Sequence, residues 1–305
     1  MNVIIIGSGG QDGRLLFEQL DAEGHTVIGV RRDSLDIRQP EEVLALISGI
    51  KPEQIYYLAA YHHSSEQEPD QPGEAIRKSV EINLIGLVNV LDAIRQSSQS
   101  TRVFYAASSR VFGRHPSTAI QDETTPLHPD CPYGISKAAA IDACRLYRYT
   151  HGLFVAVGIL YNHESIYRGA NFVSRKITRA AVAATQGNDL KLVLRDISAR
   201  ADWGYAPDYV RAMRTILELN AADDFVIATG QSHSVGEFAE IAFDTVGLDW
   251  RMFVHPQRNG GSPSPSIVGN AQKLRTASGW RPSLEFRDMV RTLVSQEKER
   301  SNRVR

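Results

Sequence analysis

Tyr133 and Lys137 stand four residues apart in Tyr-Gly-Ile-Ser-Lys, at the head of a stretch that reads as a helix from Tyr133 to Thr150. Positions i and i+4 share a helix face, so the phenol and the ammonium would lie side by side. The positive charge would lower the phenol's pKa, and a phenolate could exchange a proton with a substrate hydroxyl while a hydride moves. Ser108 and Ser109 follow the apolar run Val103–Ala106, at a strand end where hydroxyls could orient a substrate. A Tyr-x-x-x-Lys pair on its own also reads as a surface pair, so its weight depends on the motifs around it.

Gly7-Ser-Gly-Gly10-Gln11-Asp12-Gly13 follows the apolar run Val3–Ile6 and precedes Leu15, Phe17 and Leu20 at helical spacing. Strand, glycine turn and helix in that order form a variant dinucleotide fingerprint. The glycines permit a tight turn and let backbone N–H groups approach a pyrophosphate at the helix N-terminus. The second strand, Val27–Val30, ends in Arg31-Arg32 rather than in the acidic residue that would bind a ribose 2′-hydroxyl. Two arginines suit a 2′-phosphate, which points to NADP, with NAD as the alternative. The competing reading is a solvated basic pair beside Asp33 and Asp36.

These residues need a frame to hold them. Further strands are read at Ile55–Leu58, Val103–Ala106 and Phe154–Leu160, with helices at Glu41–Ser48, Val80–Ile94 and Tyr133–Thr150. Strands alternating with helices predict an α/β fold: a Rossmann-type doubly wound parallel sheet with both faces covered. After about Leu160 the rhythm changes. Helices at Phe172–Gln186, Pro207–Asn220 and Ser234–Thr245, strands at Leu190–Leu194 and Phe225–Ala228, and polar connections suit a smaller C-terminal substrate-binding lobe beside a ligand cleft. The expected division is 1–160 for the cofactor domain with the Tyr/Lys pair and 161–305 mainly for the lobe, with a return to the sheet allowed. The charged end, Gln296–Arg305, is expected to fray.

The bulk numbers exclude several classes. The chain has 305 residues, 42% hydrophobic, with a formal net charge of −1. Neither nucleic acid nor a membrane surface is expected as a partner, and an anionic ligand must be held by local groups. The two cysteines, Cys131 and Cys144, lack the spacing of a metal site or redox pair. No apolar run reaches the ~18 residues of a membrane span, and the first residues lack the marks of a signal peptide. A soluble, cytoplasmic protein without a metal is expected.

Taken together with Leu58-Ala59-Ala60 after the third strand and Asn83-Leu-Ile-Gly86 in the next helix, the motifs resemble the extended short-chain dehydrogenase/reductase family. The middle of the chain is similar to GDP-mannose 4,6-dehydratases: Gly158-Ile-Leu-Tyr-Asn162-His-Glu164-Ser, Arg168-Gly-Ala-Asn171-Phe-Val-Ser-Arg-Lys176-Ile-Thr-Arg179, Asp202-Trp-Gly-Tyr-Ala-Pro-Asp208 and Asp223–Gly230. The resemblance implies Ser108, Tyr133 and Lys137 as the catalytic set. It implies a cofactor set of Gly7, Gly10, Gln11, Asp12, Gly13, Arg31, Arg32, Asp36, Ile37, Leu58, Ala59, Ala60, Tyr133 and Lys137. For a GDP-sugar it implies Ser109, Arg110, Asn162, Glu164, Asn171, Lys176, Arg200 and Arg258.

Four departures stand against that pattern. The family's Ser-Thr-x-Glu reads Ala107-Ser108-Ser109-Arg110 here, so the glutamate expected to remove the carbon 5 proton is an arginine, which is no base at neutral pH. The arginine expected before Asp202 is Ala201, and Arg200 lies on the opposite strand face. The acidic residue expected after Arg258 is replaced by a Gly/Ser/Pro stretch. The loop after Arg32 is short, which argues against the usual tetramer and leaves a homodimer through a helix bundle. The implied chemistry is hydride exchange at carbon 4 of a GDP-hexose, either as a dehydratase or as a 4-keto reductase, 4-epimerase or dehydrogenase that omits the loss of water. A non-catalytic NADP-sensing protein is the alternative of another class, and the intact Ser/Tyr/Lys set argues against it.

Overall fold

A computed structural model describes every residue except 62–70, 115, 117, 188–190, 258–266 and 304–305. β1 (Asn2–Ile6) passes through the glycine turn into α1 (Gln11–Ala22), followed by β2 (Thr26–Val30), α2 (Pro40–Ile50) and β3 (Gln54–Tyr57). Next come α3 (Pro72–Val80), α4 (Gly86–Ser97), β4 (Arg102–Ser108), β5 (Ile120–Gln121), α5 (Pro132–His151) and β6 (Val155–Leu160). The chain continues through β7 (Asn162–Glu164), α6 (Val173–Ala184), β8 (Leu192–Leu194), β9 (Arg200–Tyr205), α7 (Ala206–Glu218) and β10 (Asp224–Ile227). It ends with β11 (Ser232–Ser234), α8 (Val235–Asp244), β12 (Val254–Pro256), β13 (Val268–Gly269), α9 (Gln272–Ser278) and α10 (Phe286–Arg303).

Among the described residues the main sheet runs β10-β6-β4-β3-β1-β2, with every neighbouring pair parallel. Parallel neighbours require crossovers, so helices cover both faces and the strands become continuous apolar runs. Ile4, Ile55 and Val103 pack with Val43, Leu91 and Ile141 of α2, α4 and α5 on one face. Val3, Ile5 and Phe104 pack with Leu16, Tyr209 and Met213 of α1 and α7 on the other. The strand order reverses between β1 and β3, and a crevice opens outside the carboxyl ends of strands at such a point. The glycine turn, Leu58–Ala60, Ser108 and Tyr161 all leave the sheet at that edge.

A third core, built on Ile177, Phe238, Phe243, Met289 and Leu293, belongs to the lobe formed by α6, α8 and α10. Between visits to the lobe the chain returns to the sheet. Tyr209, Phe225, Leu274 and Trp280 all join the sheet's second core. The charged end does not fray as expected. α10 runs to Arg303, and Glu297 is buried against the Arg175 guanidinium at 2.7 Å. Apolar positions Met289, Val290, Leu293 and Val294 hold this helix on the lobe, which composition alone did not reveal. No helix among the described residues is long and apolar enough to cross a membrane.

Asp202 of β9 ties the lobe to the sheet edge. Its buried carboxylate accepts from Thr229 N at 3.0 Å, Thr229 Oγ1 at 2.6 Å, Gly230 N at 2.9 Å and Gly269 N at 3.3 Å. Removing it leaves buried donors without an acceptor, which is costlier than losing an exposed bond. We predict that Asp202→Ala lowers unfolding free energy by about 1–3 kcal/mol. Chemical denaturation checks this, and a change below about 1 kcal/mol would show that the carboxylate is dispensable.

Candidate active site

The glycine turn is built by close approach. Gly7 adopts φ +96°, and a Cβ there would lie 2.6 Å from Ala59 N. A Cβ on Gly13 would lie 2.4 Å from Gly7 O. Gly7 N and Ser8 N donate to Val30 O, which holds the turn against the end of β2. The result is an open helix N-terminus with Gly10 at its cap and no side chain closing it. Such an end presents N–H groups and a partial positive charge to an anion.

Gln11 and Asp12 do more than expose backbone. Gln11 Nε2 donates to His163 O at 3.0 Å, and Ser165 Oγ donates to Gln11 Oε1 at 2.9 Å. Both Asp12 carboxylate oxygens lie 3.0 Å from His163 Nε2. His163 Nδ1 lies 2.7 Å from Tyr161 O, and the ring stacks on Tyr209 at 4.5 Å. The side chains of this pair thus bind the segment 161–165 to α1. Burial works against both charges. The imidazolium and Arg168 nevertheless hold the Asp12 carboxyl below its ordinary range, and Asp12 raises His163 above its own.

Arg31 and Arg32 are exposed at the end of β2. Arg31 pairs with Asp33 at 3.3 Å, and its stem passes the glycine turn, since a Cβ on Gly9 would touch Arg31 Cδ at 3.5 Å. Asp36 is claimed by Arg38, whose hydrogen bonds bring its carboxyl down to about 2. Ile37 is buried, and a Cβ on Gly86 would lie 2.7 Å from its Cδ1.

The helix expected over Val80–Ile94 starts at Pro72 and changes pitch through a π-turn at Glu81–Ile85. A π-turn displaces backbone carbonyls from their usual partners. Here the Tyr57 hydroxyl donates to Ile82 O and the Tyr105 hydroxyl donates to Asn83 O at 3.2 Å. The buried Asn83 amide accepts from Tyr61 N at 3.1 Å and donates to Ser136 Oγ at 2.9 Å. Asn83 therefore links the end of β3 to the helix that carries Tyr133. The motif around Asn83 was visible in sequence, but its partners Tyr57, Tyr105 and Ser136 were not.

Ser108 closes β4; its hydroxyl accepts from Arg110 N at 3.3 Å and draws the Tyr133 pKa down. Lys137 Nζ lies 5.7 Å from the Tyr133 ring centroid and donates to Ala106 O at 2.6 Å. The expectation that the ammonium lowers the phenol's pKa is corrected by burial. Burial pushes Tyr133 up to about 12, outweighing the Ser108 hydrogen bond and the Arg168 charge that pull it down. Burial also brings Lys137 down to about 7. Lys137 therefore carries only part of its charge at neutral pH, and a bound anion would restore it.

Ser109 begins a short 3₁₀ turn over Ser109–Phe112. Arg110 turns to Asp130, with Nη2 to Oδ1 at 3.1 Å, and Asp130 also accepts from Arg114 N at 3.0 Å. Asn162 and Asn171 are exposed, and Lys176 is half-buried on α6. Two of the residues expected to meet substrate are engaged within the chain. Glu164 is buried, where it accepts from the Ser174 hydroxyl and lies 3.5 Å from Arg168 Nε. Arg200, exposed at the start of β9, is spent on Ser232 O at 2.6 Å and Glu237 at 3.1 Å. Arg258 lies outside the described residues.

Fold and site define an extended short-chain dehydrogenase/reductase. A sequence profile described as GDP-mannose 4,6 dehydratase matches residues 33–293. GDP-mannose 4,6 dehydratase 2 of Arabidopsis thaliana is 35% identical over 98% of this chain and 87% of its own. GDP-mannose 4,6-dehydratase of Sinorhizobium fredii is 31% identical over 96% of this chain and 95% of its own. The fold matches that of RMD from Pseudomonas aeruginosa, solved in complex with NADPH, with a TM-score of 0.84 at 22% identity over 98% and 99% of the two chains. The chain belongs to the GDP-mannose 4,6-dehydratase family of enzymes.

The Asp12–His163 contact makes a pH signature. His163 is raised in the folded state, so its share is fully present below the ordinary imidazole value of about 6.5 and is lost as pH climbs through the raised value. Asp12 is lowered, so its share is lost only as pH falls through that lowered value. The melting-temperature gap between wild type and His163→Gln should be widest at mildly acid pH and narrow toward alkaline pH. A gap independent of pH would contradict the pairing.

Proposed function

We propose that this enzyme exchanges a hydride between NADP and carbon 4 of a GDP-hexose and that it stops at redox chemistry there. The observation that carries the proposal is the meeting of Ser108, at the end of β4, with Tyr133 and Lys137 of α5, whose Nζ lies 5.7 Å from the Tyr133 ring centroid. The Gly7 turn packed on Ala59 and the open N-terminus of α1 fit a dinucleotide pyrophosphate. When bound, the nicotinamide supplies the hydride acceptor. Ser108 positions the sugar hydroxyl, Tyr133 takes or returns its proton, and Lys137 holds charge beneath the phenol. Arg31 and Arg32, free of any buried partnership, are available to a 2′-phosphate. Asn162, Asn171 and Lys176 are the side chains proposed to meet the GDP portion.

The elimination of water is left out of the proposal because of the carboxylates. Arg110 stands where the family's resemblance calls for glutamate. Glu123 is turned away to accept from Val226 N at 2.7 Å on the sheet edge. Glu164 is buried and occupied. A dehydratase reading survives on Asp130, the carboxylate that Arg110 holds.

Three measurements test the proposal. NADPH should bind at least tenfold more tightly than NADH, and Arg31→Ala/Arg32→Ala should erase most of that gap, read by titration; a wild type without preference contradicts the assignment (about 1.4 kcal/mol per tenfold). Tyr133→Phe should lower hydride exchange by about 10²–10⁴-fold with little change in cofactor affinity. Near wild-type turnover in that variant would make Tyr133 a bystander. Wild type incubated with NADP and GDP-mannose should give no product lighter by one water. Arg110→Glu alone sets a carboxylate against Asp130, so the double variant Arg110→Glu/Asp130→Asn, which removes the facing charge without re-forming an ion pair, is the one expected to gain solvent deuterium at carbon 5. Dehydration by wild type at about 1 s⁻¹ or faster would overturn the redox-only reading.

A further inference from the structure

On the outer side of the 165–172 segment lies a cavity of about 260 Å³ that the proposed reaction does not use. Arg14 of α1, Arg168 of the segment, Arg175 and Arg179 of α6 and Arg300 of α10 line it, together with Tyr167 and a single carboxylate, Glu297. Glu297 is already claimed by Arg175 at 2.7 Å and lies 3.9 Å from Arg179. Arg168 lies 3.5 Å from the buried Glu164. Arg14 donates to Gly9 O and Arg300 to Ile166 O, partners that leave their charge uncompensated.

The floor and the rim differ. Arg175 is buried, and its Nε has no hydrogen-bond partner among the described residues, whereas Arg168 Nε faces Glu164 at 3.5 Å. Arg14, Arg179 and Arg300 are exposed at the rim. Five guanidiniums around one concavity repel one another unless an anion joins them. Each guanidinium carries five N–H donors, so together they offer more donors than one phosphate has oxygens to accept. A chain of phosphates fits better, and guanidinium forks match phosphate oxygens in pairs.

The cavity is distinct from the proposed substrate contacts. Arg175 and Arg179 lie four apart on α6 and approach Glu297 of α10. Lys176 lies ~100° further around the same helix. We propose that this cavity is a second anion site that binds an oligophosphate group, clamping the 165–172 segment between α1 and α10. The source is either a nucleotide or an inorganic oligophosphate, since both carry the same chain of oxygens.

The test is isothermal titration of the full chain, saturated with NADPH, with sodium tripolyphosphate and separately with GTP. Tripolyphosphate should bind, should lose at least ~10-fold affinity in Arg179→Glu/Arg300→Glu, and should keep its affinity in Lys176→Ala. Thermal melts establish that each variant is folded, and the exposed single change Arg300→Glu replaces the double variant if that one fails. Because GTP also fits the GDP contacts proposed above, its binding is credited to this cavity only as far as Arg179→Glu/Arg300→Glu weakens it; a share equal to that of tripolyphosphate assigns the phosphate chain alone, and a tighter one assigns a nucleotide. Absence of binding, displacement by NADPH, full affinity in the arginine variants or loss in Lys176→Ala would each overturn it.

Discussion

The structure depends on the contact between Asp12 and His163. A carboxylate in the first turn of the first helix reaches a histidine 151 residues away, in a place where both are largely shielded from water. Charge and hydrogen bond together offset the desolvation of each partner. Gln11 and Ser165 reinforce the same junction. Because the segment that follows His163 leads to Asn171 and Lys176, this junction sets the distance between the nucleotide turn and the residues proposed to meet the sugar nucleotide. This contact and the Asp202 network are polar links between layers that otherwise have separate apolar cores.

The sheet was legible because parallel strands buried on both faces are uninterrupted apolar runs, and Val3–Ile6 or Val103–Ala106 have no other plausible setting. The glycine turn was legible because a tight approach of backbone to backbone demands residues without a Cβ, as Gly7 and Gly13 show. The pairing of side chains was not. Glu164 sits in a stretch rich in ligand-like residues, yet Ser174 and Arg168 absorb it. Arg200 is exposed and bonded to Glu237. Nor could the chain's local pattern tell that Glu297 would be buried or that Tyr57 and Tyr105 would serve the carbonyls of a π-turn. Those partnerships join residues far apart in sequence, and no periodicity encodes them.

Charge placement around the reacting edge separates this chain from the pattern of its family. Arg110 follows the serine pair at the end of β4, and its guanidinium is neutralised by Asp130 just before α5. The pair leaves Ser108, Tyr133 and Lys137 in place for the proton exchange proposed at a hydroxyl. It withdraws the obvious base for a carbon-bound proton. Burial raises Tyr133 and lowers Lys137, so the phenol holds its proton more firmly and the ammonium less firmly than in water. That is a resting state that binding of an anionic cofactor would shift toward charge transfer.

The most direct measurement follows the hydride itself. GDP-mannose carrying deuterium at carbon 4 is incubated with NADP and the enzyme in a single turnover, and cofactor and sugar nucleotide are both analysed by mass. The account predicts deuterium on the nicotinamide and a sugar nucleotide that has kept all its oxygen. Deuterium that never reaches the cofactor would contradict hydride exchange at carbon 4, and a product lighter by one water would contradict a reaction that stops there.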